Sequence, residues 1–405
     1  MSSLQWLYPI LQFRGYRVTK VETDERRLLM HIEPQPHKVC CPACGSRDVI
    51  RRGQQVRWLR NLPVGADCTW LLATLPRVEC RACGLVRQIR SGLADQRRTY
   101  TRPFERYVPE LSRYMTIKDV AEHLGVSWDI VKDIQKRHLT RRYAKPALAD
   151  VRQIAIDEIN VGRGYRFLTL VLDLESGAIL FVGQGKTAES LRPFWRRLRA
   201  AKARVQAVAI DMSPAYQKAV TRHLPEATVV FDRFHVVKLL NHKLTQLRRQ
   251  LYRQATSDLK KKVLKGTRWL LLKNPDHLDP VKGEPGRLRA ALRLNESLAT
   301  AYYLKEDLRQ IWEQLGKFPA RMKLLDWYHQ ALASGIRVLQ DFARTLLKHA
   351  DGILAWYDYP ISTGPLEGTN NKIKTLNRQH YGLRDGEFFT LKLYQLHEAK
   401  YALVG

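Results

Sequence analysis

The sequence predicts a multidomain protein in which a zinc ribbon and a helix-turn-helix precede an α/β domain that is interrupted by an all-α insertion. Three observations predict this order. All six cysteines lie between Cys40 and Cys83, five short β-branched runs follow Val151, and the stretch from Val236 to about Ala355 has only helical periodicity. With 405 residues, the chain is long enough for two to four domains, each with its own core.

The net charge of +30 is the strongest global signal, and it is unevenly distributed. Residues 1–150 contribute +12, residues 151–235 only +5, and residues 236–405 contribute +13. Two basic flanks around a less basic middle favour a long polyanionic partner, of which nucleic acid is the commonest. A charge that serves solubility and binding to an anionic membrane surface remain the alternatives.

Nothing in the sequence predicts a membrane segment or a secretory leader. No run is apolar over the roughly 18–20 residues that a membrane span needs. The opening "MSSLQWLYPILQF" has no basic n-region and no small-residue cleavage site. We therefore expect a cytoplasmic protein.

The cysteines form two Cys-x-x-Cys-Gly pairs that are typical of a zinc ribbon. Cys41 and Cys44 lie in "CPACG", and Cys80 and Cys83 lie in "CRACG". Each tight turn can direct two thiolates at one ion, and tetrahedral Zn²⁺ accepts four such ligands. Redox-active dithiols are the alternative, but these occur more often singly, beside a βα unit. The two other cysteines, Cys40 and Cys68, are interpreted as core or surface thiols.

The segment "TIKDVAEHLGVSWDIVKDIQKRHL" predicts a helix-turn-helix. Gly125 suits the turn and Ser127 the cap of the second helix, while apolar residues form one face of each helix. Those apolar residues are Ile117, Val120, Ala121 and Leu124, then Ile130, Val131 and Ile134. The predicted DNA contacts are Ser127, Trp128, Lys132 and Lys136. A plain αα-hairpin shares most of these features and remains the alternative.

Two near-identical strand endings predict a pair of carboxylates. "IAIDE" ends its apolar run at Asp157 and "VAIDM" at Asp211. Two strands that resemble hairpin partners and one helix separate these runs, so a right-handed crossover would place the later strand parallel to the first. The two acids would then meet at one edge of the sheet, where Mg²⁺ could offset their repulsion. Taken singly, each aspartate is more often a turn residue at the end of a strand.

A third carboxylate, Glu367, opens the predicted helix in "GPLEGTNNKIKTLNRQHYG". With Pro365 as the first helical residue, one face carries Glu367 followed by amides and cations, and the other face is mostly apolar. The first face contains Asn371, Lys374 and Arg378, with Asn370 at its margin; the second contains Leu366, Thr369, Ile373, Leu376 and His380. Helix capping would explain the glutamate but not the polar stripe behind it. We therefore expect metal binding at Glu367 and DNA contacts at Lys374 and Arg378.

Taken together, these motifs resemble a bacterial insertion-sequence transposase with a DDE catalytic domain, specifically the ISL-three family. The resemblance covers nearly the whole chain. It is carried by "IDEINVGRGYRFLTLVLDLESGAI", "GKTAESL", "AIDMSPAY", "VVFDRFHVVKLLN" and "GPLEGTNNKIKTLNRQHYG". One departure is Tyr165 in "GRGY", where the family has a basic-Gly-His stretch. Tyr165 lies outside the acidic triad.

The resemblance implies an RNase H-like catalytic domain with a helical insertion, and catalytic acids at Asp157, Asp211 and Glu367. The implied cofactors are two Mg²⁺ (or Mn²⁺) ions per catalytic site, with Asp157 bridging them, and structural zinc at the four cysteines. The implied partners are the terminal inverted repeats of a transposon and target DNA, bound by a homodimer or larger assembly, in the bacterial cytoplasm. Asp232 and His235 are expected near the site, with a phosphate-orienting or a structural role. Glu158 is expected to face away from the site or to pair with a base.

We therefore divide the chain into six segments: 1–36, an N-terminal segment; 37–92, the zinc ribbon; 93–145, the helix-turn-helix; 151–235, the first part of the catalytic core; 236–360, the helical insertion; and 361–400, the second part of the core. Two other functions remain open. One is a non-catalytic DNA-binding regulator derived from a transposase. The other is an RNase H-like DNA nuclease that cleaves DNA without joining it.

Overall fold

The computed structural model describes residues 11–162, 166–255, 264–265, 267–293, 295–379 and 385–398, which form two compact units. The first unit contains the described residues up to Ala144 together with those from Asp385 onward. The second unit begins at Lys145. Tyr165 and His380, both named above, lie outside the described residues.

The first unit is built on a sheet with the strand order β1-β2-β4-β3, in which β5 also pairs with β4. The strands are β1 Tyr16–Asp24, β2 Arg27–Pro34, β3 Val49–Arg60, β4 Cys68–Cys80 and β5 Val86–Gln88. Alternate residues of β4 from Thr69 to Leu75 are buried, as expected for a strand with one face on a core. Because β2 pairs in parallel with β4, the predicted segments 1–36 and 37–92 share one sheet.

Three helices follow this sheet: α1 Arg102–Leu111, α2 Ile117–Leu124 and α3 Trp128–Tyr143. Thr116 and Asp119 form a capping box at the start of α2, and Gly125 ends that helix at φ 60°. The Ser127 side chain caps α3 by accepting from the Ile130 N–H. The predicted apolar faces pack together, with Val120, Ala121, Leu124, Val131 and Ile134 buried and Ile117 and Ile130 partly buried. The predicted helix-turn-helix is confirmed.

A buried arginine joins this sheet to these helices. Arg60, at the end of β3, is 2% exposed and donates to the carbonyl oxygens of Thr69 (2.7 Å) and Leu124 (2.9 Å). Its guanidinium lies 5.7 Å from the ring centroid of Trp70 and, equally, of Phe104. A charge removed from water in this way is stabilised only while its hydrogen bonds remain intact.

The first unit also includes a helix from the far end of the chain, α14 (Gly386–Gln395). Asp385 caps α14 by accepting from the Phe388 N–H at 3.0 Å. Phe388 is fully buried. The sequence-based boundaries place this helix in the second part of the catalytic core, residues 361–400, whereas its packing places it in the first unit.

The second unit contains a five-stranded sheet in the order β10-β9-β6-β7-β8. Its strands are β6 Gln153–Asn160, β7 Phe167–Asp173, β8 Ile179–Gln184, β9 Ala207–Ile210 and β10 Thr228–Phe231. Strands β6, β7 and β8 form an antiparallel meander, and β9 lies parallel to β6. The predicted parallel placement of the strand before Asp211 is therefore confirmed. The crossovers carry α4 Arg192–Ala200 and α5 Pro214–His223.

The rest of the second unit is helical, as the sequence predicts for the insertion. Its helices are α6 Arg233–Gln254, α7 Arg268–Leu272, α8 Glu284–Arg293, α9 Glu296–Arg309, α10 Lys317–Ala333, α11 Arg337–Lys348 and α12 Ala350–Leu354, and α13 Gly364–Gln379 then returns to the sheet. Short 3-10 helices occur at Pro36–Lys38, Ala188–Leu191, Pro275–His277, Gln310–Glu313 and Ala355–Tyr357. Trp312 and Trp327 are buried core residues, whereas Trp269 is 66% exposed. Helix α13 begins at Gly364, one residue before the predicted start at Pro365.

None of the described helices combines the length and the hydropathy that are needed to span a bilayer.

Candidate active site and metal centre

Two aspartates lie just beyond the last parallel pair of β6 and β9: Asp157 within β6, which continues to Asn160 rather than ending at the aspartate, and Asp211 directly after β9. The parallel register pairs Ala155 with Ala209. Asp157 follows Ala155 by two residues, and Asp211 follows Ala209 by two residues in the same direction. The N–H of Ser213 donates to Oδ1 of Asp211 at 2.9 Å. The carboxylates thus project where parallel strands end, which is the usual position of a binding crevice in such sheets.

Asp157 is partly buried and held by an amide from α13. Nδ2 of Asn370 donates to Oδ2 of Asp157 at 3.0 Å. Burial raises the pKa of Asp157, and the negative charge of Asp211 raises it further. The Glu158 N–H and His235 act in the opposite direction but do not cancel these effects. A cation bound beside Asp157 would favour its ionised form.

Helix α13 presents the two faces that its sequence predicts. Leu366, Ile373 and Leu376 are buried, whereas Glu367, Asn371, Lys374 and Arg378 are exposed. Asn370, which the sequence places at the margin of the polar face, is 8% exposed and contacts Asp157. Nδ2 of Asn377 donates to the Val161 carbonyl oxygen at 2.8 Å. These two asparagines fasten α13 along β6, with Glu367 one turn before the first of them.

The three carboxylates of Asp157, Asp211 and Glu367 do not form one tight cluster. Within the described ranges, only the four cysteines bring three or more candidate ligand atoms within 4.8 Å of one another. Glu367 is exposed, unlike the partly buried aspartates. Ligands of two ions that are about 3.5–4 Å apart need not all lie within that distance of each other.

A second hydrogen-bonded group links the end of β10 to the start of α13. Oγ1 of Thr363 donates to Oδ2 of Asp232 at 2.5 Å, and Nδ1 of His235 lies 3.1 Å from the same oxygen. Burial alone would lower the pKa of His235, but the bond to Asp232 and the negative charge of Asp157 raise it. His235 therefore lies close enough to Asp157 to interact electrostatically, while Asp232 fixes its ring.

Glu158 adds a fourth carboxyl group near the aspartates. Burial raises the pKa of Glu158, as do the charges of Asp211 and Asp157, and its side chain is hydrogen-bonded to Tyr216. The hydroxyl of Tyr216 also lies 3.3 Å from Oγ1 of Thr169, on the strand next to β6. The sequence predicts that Glu158 faces away from the site or pairs with a base, whereas it interacts with both aspartates and its hydrogen-bond partner is a tyrosine.

The four predicted zinc ligands converge in the first unit. Sγ of Cys41 lies 3.6 Å from Sγ of Cys83, and Sγ of Cys44 lies 3.5 Å from Sγ of Cys80. Ligands bound tetrahedrally at about 2.3 Å would stand about 3.8 Å apart, so the sulfur positions fit one Zn²⁺ ion. Gly45 and Gly84 follow the two pairs with φ of 77° and 69°, which is the left-handed turn that lets each chain fold back.

The thiols also have the electrostatics of a metal site. Backbone N–H groups of Cys44 and Ala43 lower the pKa of Cys41 to about 6. The Leu85 N–H acts in the same direction on Cys83, but the neighbouring cysteines raise the pKa of Cys83 to about 12. Four thiols this close cannot all ionise without a cation among them, and zinc ligation requires the ionised form.

The predicted DNA contacts on α3 lie in different environments. Trp128 is 55% exposed at the start of the helix, and the Ser127 hydroxyl serves as its cap. Lys132 and Lys136 each pair with Asp385, at 3.2 and 3.4 Å. Lys136 also pairs with Glu387 at 2.6 Å. A DNA phosphate would have to compete with these carboxylates for both lysines.

Sequence reasoning did not assign a role to Asn370 or Thr363. Both are short polar residues flanking Glu367, and the only signal was that they occur in the same stretch of sequence. Their partners, Asp157 and Asp232, are more than 130 positions away in the chain, so no local pattern could reveal the contacts.

Comparison with known proteins gives matches along the chain in the order of these parts. A family model of the DDE type, described as "Transposase" of the ISL3 group, matches residues 154–393. A helix-turn-helix domain of transposase family ISL3 matches residues 92–139. A zinc finger of the IS204/IS1001/IS1096/IS1165 transposases matches residues 37–83.

Individual relatives match over most of the chain. The transposase for insertion sequence element IS1001 of Bordetella parapertussis is 33% identical over 387 residues, covering 94% of this chain and 95% of the relative. The transposase for IS1557 of Mycobacterium tuberculosis is 27% identical, with 89% and 86% covered. A solved structure, the Drosophila P element transposase strand transfer complex, aligns with a TM-score of 0.37 at 11% identity, over 74% of this chain and 92% of that one.

Proposed function

The chain belongs to the ISL3 family of insertion-sequence transposases, and on that premise we propose that its DNA strand cleavage and strand transfer take place at Asp157, Asp211 and Glu367. The observation that carries this assignment is the 3.0 Å bond from Asn370 to Asp157. It fastens the helix that carries Glu367 to the strand that carries Asp157, beside the end of the strand that precedes Asp211.

Two divalent cations, Mg²⁺ or Mn²⁺, fit this donor set, since carboxylate oxygens are their preferred ligands and burial together with the nearby charge of Asp211 raises the pKa of Asp157. Asp157 would contact both ions, Asp211 one and Glu367 the other. Bound there, the metals would activate the attacking water or 3′-hydroxyl and stabilise the leaving oxygen. The protein's own contribution is positioning: Asn370 fixes Asp157, and the Ser213 N–H fixes Asp211.

The first unit supplies DNA binding in this proposal. Zinc held by the four cysteines would stabilise the end of the sheet, and the helix-turn-helix would bind the terminal inverted repeats. Trp128 on α3 and the exposed Lys374 and Arg378 on α13 are the predicted contacts that have no competing carboxylate among the described residues. Pairing two transposon ends and a target requires a homodimer or larger assembly on DNA, which we place in the bacterial cytoplasm.

The test is an assay of the purified protein on labelled duplexes that carry the element's terminal repeats. We expect Asp157→Asn, Asp211→Asn and Glu367→Gln each to reduce Mg²⁺-dependent cleavage and joining on the order of a thousandfold, because each removes a metal ligand. Binding of the same duplex, measured by gel shift, should be unchanged. The matched control is Asp351→Asn, since that carboxylate is 94% exposed and belongs to α12 in the helical insertion.

Three outcomes would contradict parts of this proposal. Cleavage that survives all three substitutions would exclude these residues as the catalytic set. Sequence-specific binding by a wild-type protein that never cleaves would indicate a regulator. Cleavage without joining of the cut 3′ end to target DNA would indicate a nuclease.

A further inference from the structure

Helix α6 carries an exposed stripe that begins beside the proposed catalytic carboxylates. At 100° per residue, Phe234, Lys238, His242, Arg249 and Arg253 fall within one sector about 100° wide. All five are exposed. The buried residues of the helix lie in the opposite sector; these are Val236, Leu240, Leu244 and Leu247.

Phe234 is an exposed aromatic residue in the first turn of α6, next to His235. It is 45% exposed, although most large apolar side chains of this unit are buried. Its ring lies perpendicular to that of His235, with centroids 5.6 Å apart, and Nζ of Lys238 lies 5.9 Å from its centroid. The Asp232 N–H donates to the carbonyl oxygen of Ile210, the residue before Asp211, at 3.1 Å. Helix α6 therefore begins beside Asp211, and Phe234 is its second residue.

The cations behind Phe234 are available to a polyanion. Within the described part of the chain, Lys238, Arg249 and Arg253 have no ion-pair partner, whereas every lysine and arginine of α3 has one. The 22 residues of α6 span about 33 Å, which is close to one turn of B-form DNA. A row of cations of this length, which have no ion-pair partner among the described residues, matches the backbone of a duplex rather than a small anion.

We propose that α6 is a DNA-contacting helix, on which Phe234 stacks against a nucleobase next to the scissile phosphate while Lys238, Arg249 and Arg253 contact the phosphates of the flanking duplex. This inference rests on the proposed function, because it takes the cleaved strand to lie at Asp157. Cutting a duplex requires the bases around the break to leave their stack in part, and an aromatic face replaces the lost stacking whatever the base. The substrate class is therefore duplex DNA with an unstacked base at the cut.

The direct test uses terminal-repeat duplexes with 2-aminopurine at each position around the cut. With the wild-type protein, fluorescence at one position should change on binding because that base leaves the DNA stack. Phe234→Ala should abolish this change. It should also slow cleavage by about tenfold to a hundredfold, because the variant loses the free energy of stacking one base. Phe234→Trp should restore both, whereas Phe234→Leu should restore neither.

The salt dependence of binding tests the cations separately. Arg249→Ala and Arg253→Ala should each reduce the slope of log K against log salt by roughly 0.9, because each variant neutralises one phosphate fewer than the wild type. The matched control is Phe318→Ala, since Phe318 is 75% exposed elsewhere in the helical insertion. It should leave the fluorescence change, cleavage and the slope unaltered.

Asp157→Asn, assayed in parallel, separates the two claims. If it is inactive while Phe234→Ala matches wild type in fluorescence and rate, the catalytic assignment stands and the role of Phe234 is wrong. Alternatively, Phe234→Ala could change the oligomer mass measured by light scattering and leave the 2-aminopurine signal intact. In that case the ring contacts a second copy of the chain, and the proposal is overturned. Circular dichroism melts establish that each variant is folded.

Discussion

At the scale of single residues, the surroundings of Asp157 disfavour the ionised form of its carboxyl group. Its carboxylate is partly buried, lies near Asp211 and receives one amide hydrogen bond from Asn370. Without a cation, ionisation of both aspartates costs free energy of folding, because like charges in a poorly solvated edge repel. This cost is useful to a metal-dependent enzyme, because binding of the cation removes it.

Asp157→Asn should therefore raise the melting temperature of the metal-free protein at neutral pH. The substitution removes the charge, and its carbonyl oxygen can still accept from Asn370. A gain of about 1 kcal/mol corresponds to roughly 2–4 °C for a domain of this size. Addition of Mg²⁺ should stabilise the wild type and leave the variant unchanged.

The sign of the pH dependence follows from the raised pKa of Asp157. A carboxyl group whose folded-state pKa lies above its ordinary value contributes stability at acid pH, and this contribution is lost as the pH rises through the folded pKa. The advantage of the asparagine variant should therefore disappear below the ordinary aspartate range. An advantage that is constant with pH, or a destabilised variant at neutral pH, would contradict this account.

At the scale of elements, the contact between α14 and α3 joins side chains that lie 249 positions apart in the chain. Asp385 caps α14 and pairs with Lys132 and Lys136 on the predicted recognition helix. These pairs are partly buried, and the fully buried Phe388 anchors α14 beside them. The ion pairs contribute little by themselves, so burial and capping hold the helix, and DNA could displace the carboxylates at small cost.

Two substitutions of Asp385 should separate the contribution of helix capping to the stability of α14 from the contribution of the ion pairs. Asp385→Asn retains a good capping acceptor and loses the ion pairs, whereas Asp385→Ala loses both. Amide protection over Gly386–Gln395, measured by hydrogen exchange, should fall by about tenfold in the alanine variant and much less in the asparagine variant. Equal losses in both variants would mean that the ion pairs, and not the cap, hold α14.

The carboxylate of Asp385 also makes the stability of α14 depend on pH. The Phe388 N–H and the two lysines lower the pKa of Asp385. A lowered pKa contributes stability above the ordinary aspartate value, and that stability is lost as the pH falls through the folded value. Loosening of α14 is thus expected only at acid pH, below the usual aspartate range.

The sequence predicts elements well where local periodicity decides the structure. Residue spacing predicts the two faces of α13 and the capped helices α2 and α3. Strand order predicts the parallel placement of β6 and β9. Contacts such as Asn370 to Asp157 could not be predicted, because a margin position on a helix is buried or exposed according to the partner that packs there. The same limit explains the placement of α14, whose sequence does not specify which surface it will cover.

At the scale of the whole molecule, the catalytic assignment depends on three stretches that are distant in the chain. Asp157 and Asp211 are brought together by the crossover between β6 and β9, and Glu367 returns on α13 after an insertion of seven helices in the described residues. In the proposed function, a common metal site gives these three stretches a shared role. The central claim is therefore that metals bind where the three meet.

Iron-directed cleavage of the polypeptide tests this claim most directly. Fe²⁺ in place of Mg²⁺, with ascorbate and peroxide, generates radicals that cut the chain close to the bound metal. The predicted result is cuts near Asp157, Asp211 and Glu367, which excess Mg²⁺ suppresses and Asp157→Asn abolishes. Cuts confined to the region of Cys41 and Cys83, or a pattern near the carboxylates that Asp157→Asn leaves unchanged, would contradict it.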